Sequence, residues 1–295
     1  MKNTVFTGAG VALITPMLPD GQVNYDGLRA LIDDQIANGT DAIVACGTTG
    51  ESPTLSHEEH TEVIRVAVEQ TAGRVPLIAG TGSNDTAYAL RLCQEAEALG
   101  ADALLMVTPY YNKSSQKGLI QHYTYIADRV NSPIILYNVP GRTGCNLTVA
   151  TYQALAPHPN IAAIKEASGD VTKVAETMAV CGDLLDIYSG NDDQILPILA
   201  LGGAGVISVL SNIVPRQTHD LCARFFAGDL AGARCIQLDM MELIGALFCD
   251  VNPIPVKEAM NLMGMQVGAC RLPLTDMDEA GRERMRRALK NAGLI

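Results

Sequence analysis

The sequence predicts an α/β chain folded as a closed (β/α)8 TIM barrel with a C-terminal helical appendage. Three observations carry that prediction. Short apolar runs rich in Val, Ile, Leu and Ala recur eight times, at residues 11–17, 42–46, 76–79, 103–107, 133–137, 161–164, 185–188 and 205–209. Runs of this length and composition suit strands buried on both faces. Amphipathic stretches with apolar residues three and four apart separate most of them, so the chain alternates strand and helix and builds a parallel sheet. Eight such units point to closure. A doubly wound sheet usually has fewer strands and a glycine-rich first turn, which residues 11–19 do not supply.

Taken in order, the second run ends in Gly47-Thr48-Thr49-Gly50-Glu51-Ser52. Ser56 with Glu59 then fits a capping box that opens a helix over 58–71, and a second clear helix spans 86–99. The fifth run ends in Tyr137-Asn138-Val139-Pro140-Gly141-Arg142-Thr143-Gly144, and the sixth continues into Lys165-Glu166. After about residue 224 the strand rhythm stops. Residues 225–295 read as two or three helices, broken near Asn252-Pro253 and Arg271-Leu272-Pro273. The expected division is therefore a barrel over 1–224 and a helical region over 225–295, the latter too short to be read as an independent domain. A single large barrel accounts for 295 residues without a linker.

Composition narrows the function. Hydrophobic residues make up 48% and charged residues 18%, which gives a core and excludes a disordered chain. Lys+Arg is 21 against Asp+Glu 32, a net charge of −11, which repels nucleic acid and anionic membrane surfaces as partners. No stretch reaches the ~18 apolar residues of a membrane span. The first ten residues lack the charged region and apolar run of a signal peptide. Eight scattered Cys, none in a Cys-x-x-Cys pair, suit a cytoplasmic chain with reduced thiols and no structural zinc. No P-loop pattern occurs, and the glycine-rich residues 201–205 precede a strand where a dinucleotide fingerprint follows one. No cofactor and no metal are expected.

In a barrel of this kind the chemistry sits where strands end and the next loops begin. Gly47, Thr48, Thr49 and Gly50 make a turn with amide and hydroxyl donors, a cradle for a small anion such as a carboxylate, or simply a polar turn. Lys165 shares a strand face with Ile161 and Ala163 at the end of an apolar run. Such a lysine either reaches solvent or pairs with Glu166, or it is an amine whose pKa is lowered by desolvation, ready to attack a carbonyl.

Five motifs in this order resemble the dihydrodipicolinate synthase/N-acetylneuraminate lyase family of pyruvate-dependent aldolases. They are Gly47-Thr48-Thr49-Gly50-Glu51, Thr108-Pro109-Tyr110-Tyr111-Asn112, the segment from Tyr137 to Gly144, Ile164-Lys165-Glu166-Ala167-Ser168, and Asn252-Pro253-Ile254-Pro255-Val256-Lys257. The likeness covers essentially the whole chain. It implies a lyase that condenses pyruvate with L-aspartate 4-semialdehyde to 4-hydroxy-tetrahydrodipicolinate, on the path to diaminopimelate and lysine. Lys165 would form the Schiff base. Tyr137, Thr48 and Tyr111 would relay protons, with Tyr111 reaching in from a neighbouring subunit. Thr48 and Thr49 would hold the pyruvate carboxylate and Arg142 that of the semialdehyde, while Gly190 and Ile207 match substrate-contact positions. The resemblance also implies a homo-oligomer, a dimer or a dimer of dimers.

Each of these residues has a plainer alternative. Tyr137 could be barrel filling, Tyr110-Tyr111 an interface pair, Arg142 a surface ion pair and Thr48 a turn residue. His57 and His60 stand three apart, not the four of a zinc helix, with no third ligand evident, and read otherwise as polar residues on a first helical turn. In the family, Ser52, His57, His60, Asn84 and Tyr110 match an allosteric L-lysine site. Pro53 stands where Ala is common. Tyr88 stands where lysine-sensitive members often carry Glu, so loss of a charge-assisted contact implies weak or absent lysine inhibition. Two rival functions remain: another Schiff-base aldolase acting on sialic acid, a keto-deoxy sugar acid or a hydroxy-oxoglutarate, and a non-catalytic ligand-binding barrel.

Overall fold

Eight parallel strands close on themselves in sequence order: β1 (Gly8–Ala12), β2 (Ala42–Ala45), β3 (Leu77–Gly80), β4 (Ala103–Val107), β5 (Ile134–Asn138), β6 (Ile161–Glu166), β7 (Asp186–Ser189) and β8 (Gly205–Ser208). β8 pairs back onto β1, with Ala9 opposite Val206. The computed structural model describes residues 4–295, so Met1, Lys2 and Asn3 of the expected 1–224 segment lie outside the described residues.

Alternation along the strands sorts side chains into two layers of core. Ala42 and Val44 of β2, Leu105 of β4, Ile135 and Tyr137 of β5, Ala163 of β6 and Tyr188 of β7 point inward. Ile134, Leu136, Ile164 and Ile187 point outward and pack beneath the surrounding helices. The period of two therefore places Lys165 inside, on the face of Ala163. Phe6, just ahead of β1, stacks on Tyr188 with ring centroids 4.3 Å apart, and the Tyr188 hydroxyl donates to the Phe6 carbonyl at 2.7 Å.

The first strand departs from the expected run at residues 11–17: it is Gly8–Ala12. Gly8 and Gly10 conceal it from a reading by hydrophobicity, yet both are needed. A Cβ at Gly8 would meet the Asp41 carboxylate at 2.1 Å, and one at Gly10 would meet the Phe6 ring at 2.9 Å. Residues 13–17 are apolar because they form a buried loop. Leu13 N donates to Val44 O, Ile14 N to Asn212 Oδ1 and Met17 N to Val267 O.

The helix over Thr86–Leu99 matches its expected span, and the capping box of Ser56 and Glu59 opens the helix His57–Thr71. The helix Pro215–Phe226 follows β8, so the position after residue 224 falls in its last turn. The appendage beyond it has four helices rather than two or three: Leu230–Asp239, Met241–Leu247, Ile254–Leu262 and Glu279–Asn291. The breaks at Asn252-Pro253 and Leu272-Pro273 fall between helices, and both peptide bonds are cis. Among the described residues no helix is long and apolar enough to cross a membrane. All eight Cys are free thiols; Cys46, Cys93, Cys145, Cys181 and Cys222 are buried as small apolar groups, whereas Cys235 is exposed.

Candidate functional site

The strand register sets the centre. Tyr137 of β5 lies opposite Lys165 of β6, which in turn lies opposite Tyr188 of β7. Lys165 is 6% exposed, and its Nζ sits 4.3 Å from the centroid of the Tyr137 ring. Burial lowers the Lys165 pKa to about 8; the negative Asp192 works against that shift, and the positive Arg142 adds to it. Burial raises the Tyr137 phenol, partly offset by the Arg142 charge and by a hydrogen bond with Thr48. Lys165 does not take Glu166 as its partner. Glu166 points outward, 3.1 Å from Lys173 Nζ, and accepts from Asn138 Nδ2, Tyr152 Oη and Ser168 N.

The turn after β2 brings Thr48 and Thr49 to the mouth. It is entered and left through two non-glycine residues with positive φ, Cys46 at 54° and Glu51 at 56°. Gly80 of β3 lets it pass, since a Cβ there would meet the Cys46 carbonyl oxygen at 2.1 Å. Thr49 is buried, and its Oγ1 accepts from Asn252 Nδ2 at 3.0 Å. Arg142 lies on the short helical turn Pro140–Thr143 after β5 and donates from Nη2 to the Asn252 carbonyl at 3.2 Å. Gly190 N donates to Glu166 O at 2.8 Å, with Ala167 so near that a Cβ would meet its Cβ at 2.6 Å. Ile207 is fully buried in the barrel interior.

A cavity of about 420 Å³ opens on this group. Its lining includes Thr48, Tyr137 and Arg142 together with Ser52, Pro53, His60, Tyr88 and Tyr110. The structure thus joins Thr48, Tyr137 and Arg142 with Ser52, His60 and Tyr110 of the candidate effector set in one space, while Lys165 lies buried beside the Tyr137 ring. His60 lies against the barrel, its Nε2 2.9 Å from Gly80 O, and burial lowers its pKa. His57 turns elsewhere, towards Tyr88 Oη at 3.4 Å, Arg91 Nη2 at 2.7 Å and Glu95 Oε2 at 3.1 Å. Asn84 contributes its carbonyl to Asn112 Nδ2. Among the described residues no cluster of three His, Cys, Asp or Glu could hold a metal. Tyr111 is 91% exposed with φ of 70°, so within one chain it does not reach Tyr137 or Thr48.

Asp192 is the residue that sequence reasoning missed. It follows β7, is 2% exposed, and its Oδ2 accepts from Val209 N and Leu210 N. Burial raises its pKa, and hydrogen bonds from Ser208 and from the Leu210 and Val209 amides, then the Lys165 charge, work against that rise. The available signal was a carboxylate two residues beyond Gly190, at a strand end where chemistry collects.

Residues 5–292 match the family model described as the dihydrodipicolinate synthetase family. The chain is 56% identical over 292 residues, 99% of each sequence, to a 4-hydroxy-tetrahydrodipicolinate synthase of Lachnoclostridium phytofermentans. Its fold superposes with TM-score 0.97 and 47% identity, over 99% of this chain and 100% of the other, on the chloride-inhibited dihydrodipicolinate synthase of Acinetobacter baumannii complexed with pyruvate. It superposes with TM-score 0.96 and 40% identity, over 99% and 100%, on the lysine-bound enzyme of Cyanidioschyzon merolae. On the extent of these matches, the chain belongs to the dihydrodipicolinate synthetase family.

Proposed function

We propose that the chain condenses pyruvate with L-aspartate 4-semialdehyde to 4-hydroxy-tetrahydrodipicolinate through a Schiff base on Lys165. The observation that carries this reading is the buried Lys165 amine held 4.3 Å from the Tyr137 ring at the mouth of the barrel. With its pKa at about 8, roughly a quarter of the amine is neutral near pH 7.5, against about one part in a thousand at an ordinary lysine pKa.

The neutral amine attacks the pyruvate ketone. Water leaves, and the iminium acts as an electron sink, so the methyl group gives up a proton and an enamine forms. The enamine carbon attacks the aldehyde, and the amino group of the semialdehyde then displaces Lys165 as the ring closes. Each step moves a proton. Tyr137, hydrogen-bonded to Thr48, is the near half of the relay. Tyr111 of a second copy completes it, which makes the active unit at least a dimer. Thr48 and Thr49 face the pyruvate carboxylate; because Thr49 Oγ1 accepts from Asn252, its own O–H is left as a donor. Arg142, its guanidinium steadied on the Asn252 carbonyl, receives the second carboxylate. Gly190 and Ile207 shape the floor.

Ser52, His57, His60, Asn84 and Tyr110 match the positions of an L-lysine effector site, but Tyr88 replaces the carboxylate that would hold the lysine ammonium, so lysine inhibits weakly or not at all. Steady-state rates with aspartate semialdehyde and with sialic acid test the substrate assignment. The expected result is condensation with the semialdehyde and no cleavage of the sugar acid; preference for the sugar acid overturns it.

A further inference from the structure

We propose that Glu51 and Lys257 are positioning residues: a buried ion pair through which the C-terminal helical segment holds the turn over residues 46–52 in the shape that presents Thr48 and Thr49. The inference rests on the reading that these two threonines bind the pyruvate carboxylate.

The turn is strained at both ends, since Cys46 and Glu51 have left-handed backbones at φ of 54° and 56° without being glycine. Such conformations persist where the surroundings over-determine them. At Glu51 the surroundings are complete. The side chain is 2% exposed; Oε1 accepts from Lys257 Nζ at 2.8 Å, and Oε2 accepts from Arg271 N at 2.8 Å. Lys257, also 2% exposed, gives its other two protons to Thr15 O at 3.2 Å and Ala269 O at 2.7 Å. Thr15 in turn donates from Oγ1 to Gly50 O at 2.7 Å, inside the same turn. Three ammonium protons and two carboxylate oxygens are thus all used, and the network fixes the turn at Gly50 and Glu51.

Stability alone does not account for this arrangement. A buried ion pair is commonly matched or exceeded in stability by apolar residues of the same volume. What an apolar pair does not supply is a directional tether, and the tethered turn carries Thr48, bonded to Tyr137, and Thr49, bonded to Asn252. Asn252 also fixes Arg142 through its carbonyl. One segment, residues 252–271, therefore holds both the turn that carries Thr48 and Thr49 and the guanidinium of Arg142.

The test is the double variant Glu51→Gln/Lys257→Met, which removes both charges and leaves no uncompensated ion. Pyruvate KM, the rate of borohydride-trappable imine formation and the denaturant midpoint are measured together. The strut predicts a folded protein whose pyruvate KM rises roughly 10- to 100-fold, with a matching loss in imine formation at low pyruvate, as expected when a binding group is displaced by about an ångström. A folded double variant with wild-type KM and imine rate overturns the proposal. Should the double variant not fold, Glu51→Asp decides by the same readouts, because it keeps both charges buried together and shortens the tether by one methylene. Thr48→Val and Thr49→Val are measured in parallel. If neither raises pyruvate KM, the threonine reading itself fails; if they raise it and the strut variants do not, the strut fails and the threonine reading stands.

Discussion

At the scale of single residues, the chemistry depends on an amine that the fold keeps at a cost. Burial lowers Lys165 from 10.5 to about 8. Below pH 8 both folded and unfolded states carry the charge, so the folded state bears the whole penalty, roughly 3 kcal/mol. As pH rises from 8 towards 10.5 the folded lysine becomes neutral while the unfolded one does not, and the penalty fades. Lys165→Met is therefore expected to be inactive yet more stable at pH 7 by up to about 3 kcal/mol, a gain that shrinks across that window. Urea titrations at pH 7 and pH 9.5 check it; equal gains at both contradict it. Asp192 opposes the shift in Lys165. Asp192→Asn is thus expected to move the alkaline-rising limb of imine formation to lower pH, and an unmoved limb removes Asp192 from the account. Tyr137→Phe keeps the ring under Lys165 and loses the hydroxyl. It is expected to cost roughly 100- to 10,000-fold in kcat without changing the unfolding midpoint.

At the scale of elements, the decisive pieces are the strand ends and the turns that leave them. Gly80 is where β3 lets the Thr48 turn cross. A Cβ there would lie 2.1 Å from the Cys46 carbonyl oxygen, so Gly80→Ala must shift backbone. It is expected to destabilise by about 1–3 kcal/mol and to raise pyruvate KM, measured by urea unfolding and steady-state rates. Much at this scale was legible in the residues. Ala103–Val107 and Thr86–Leu99 match their expected spans because a fully buried strand and a half-buried helix leave plain periods of apolar residues. β1 was misplaced because Gly8 and Gly10 serve close packing against Asp41 and Phe6, a demand of neighbours distant in the chain. Lys165 stood out as a cation in an apolar strand. Asp192 did not, because its isolation comes from burial and from amides of residues 209 and 210, which no local pattern announces. Likewise Glu51 reads as part of a polar turn, and its pairing with Lys257 across 206 residues emerges only in three dimensions.

At the scale of the whole molecule, Tyr88 and Tyr110 line the cavity and are partly exposed, and Tyr111, next in the chain after Tyr110, is almost wholly exposed. The proposed supply of the Tyr111 phenol by a second copy carries two expectations: activity falls with dilution as copies dissociate, and mixing Tyr111→Phe chains with Lys165→Met chains restores partial activity, because one mixed site then has both groups intact. Mixed dimers no more active than either parent contradict a shared site. Because Tyr88 provides a hydroxyl towards His57 where a carboxylate would pair with an ammonium, lysine is expected to inhibit weakly or not at all, and full inhibition at sub-millimolar lysine contradicts that. All of these expectations presuppose the covalent adduct, and intact-mass spectrometry after incubation with pyruvate and borohydride examines it most directly. The predicted result is a gain of one reduced pyruvate per chain, mapped to Lys165 and absent from Lys165→Met. No gain in the native chain, or a gain that survives the substitution, contradicts the imine.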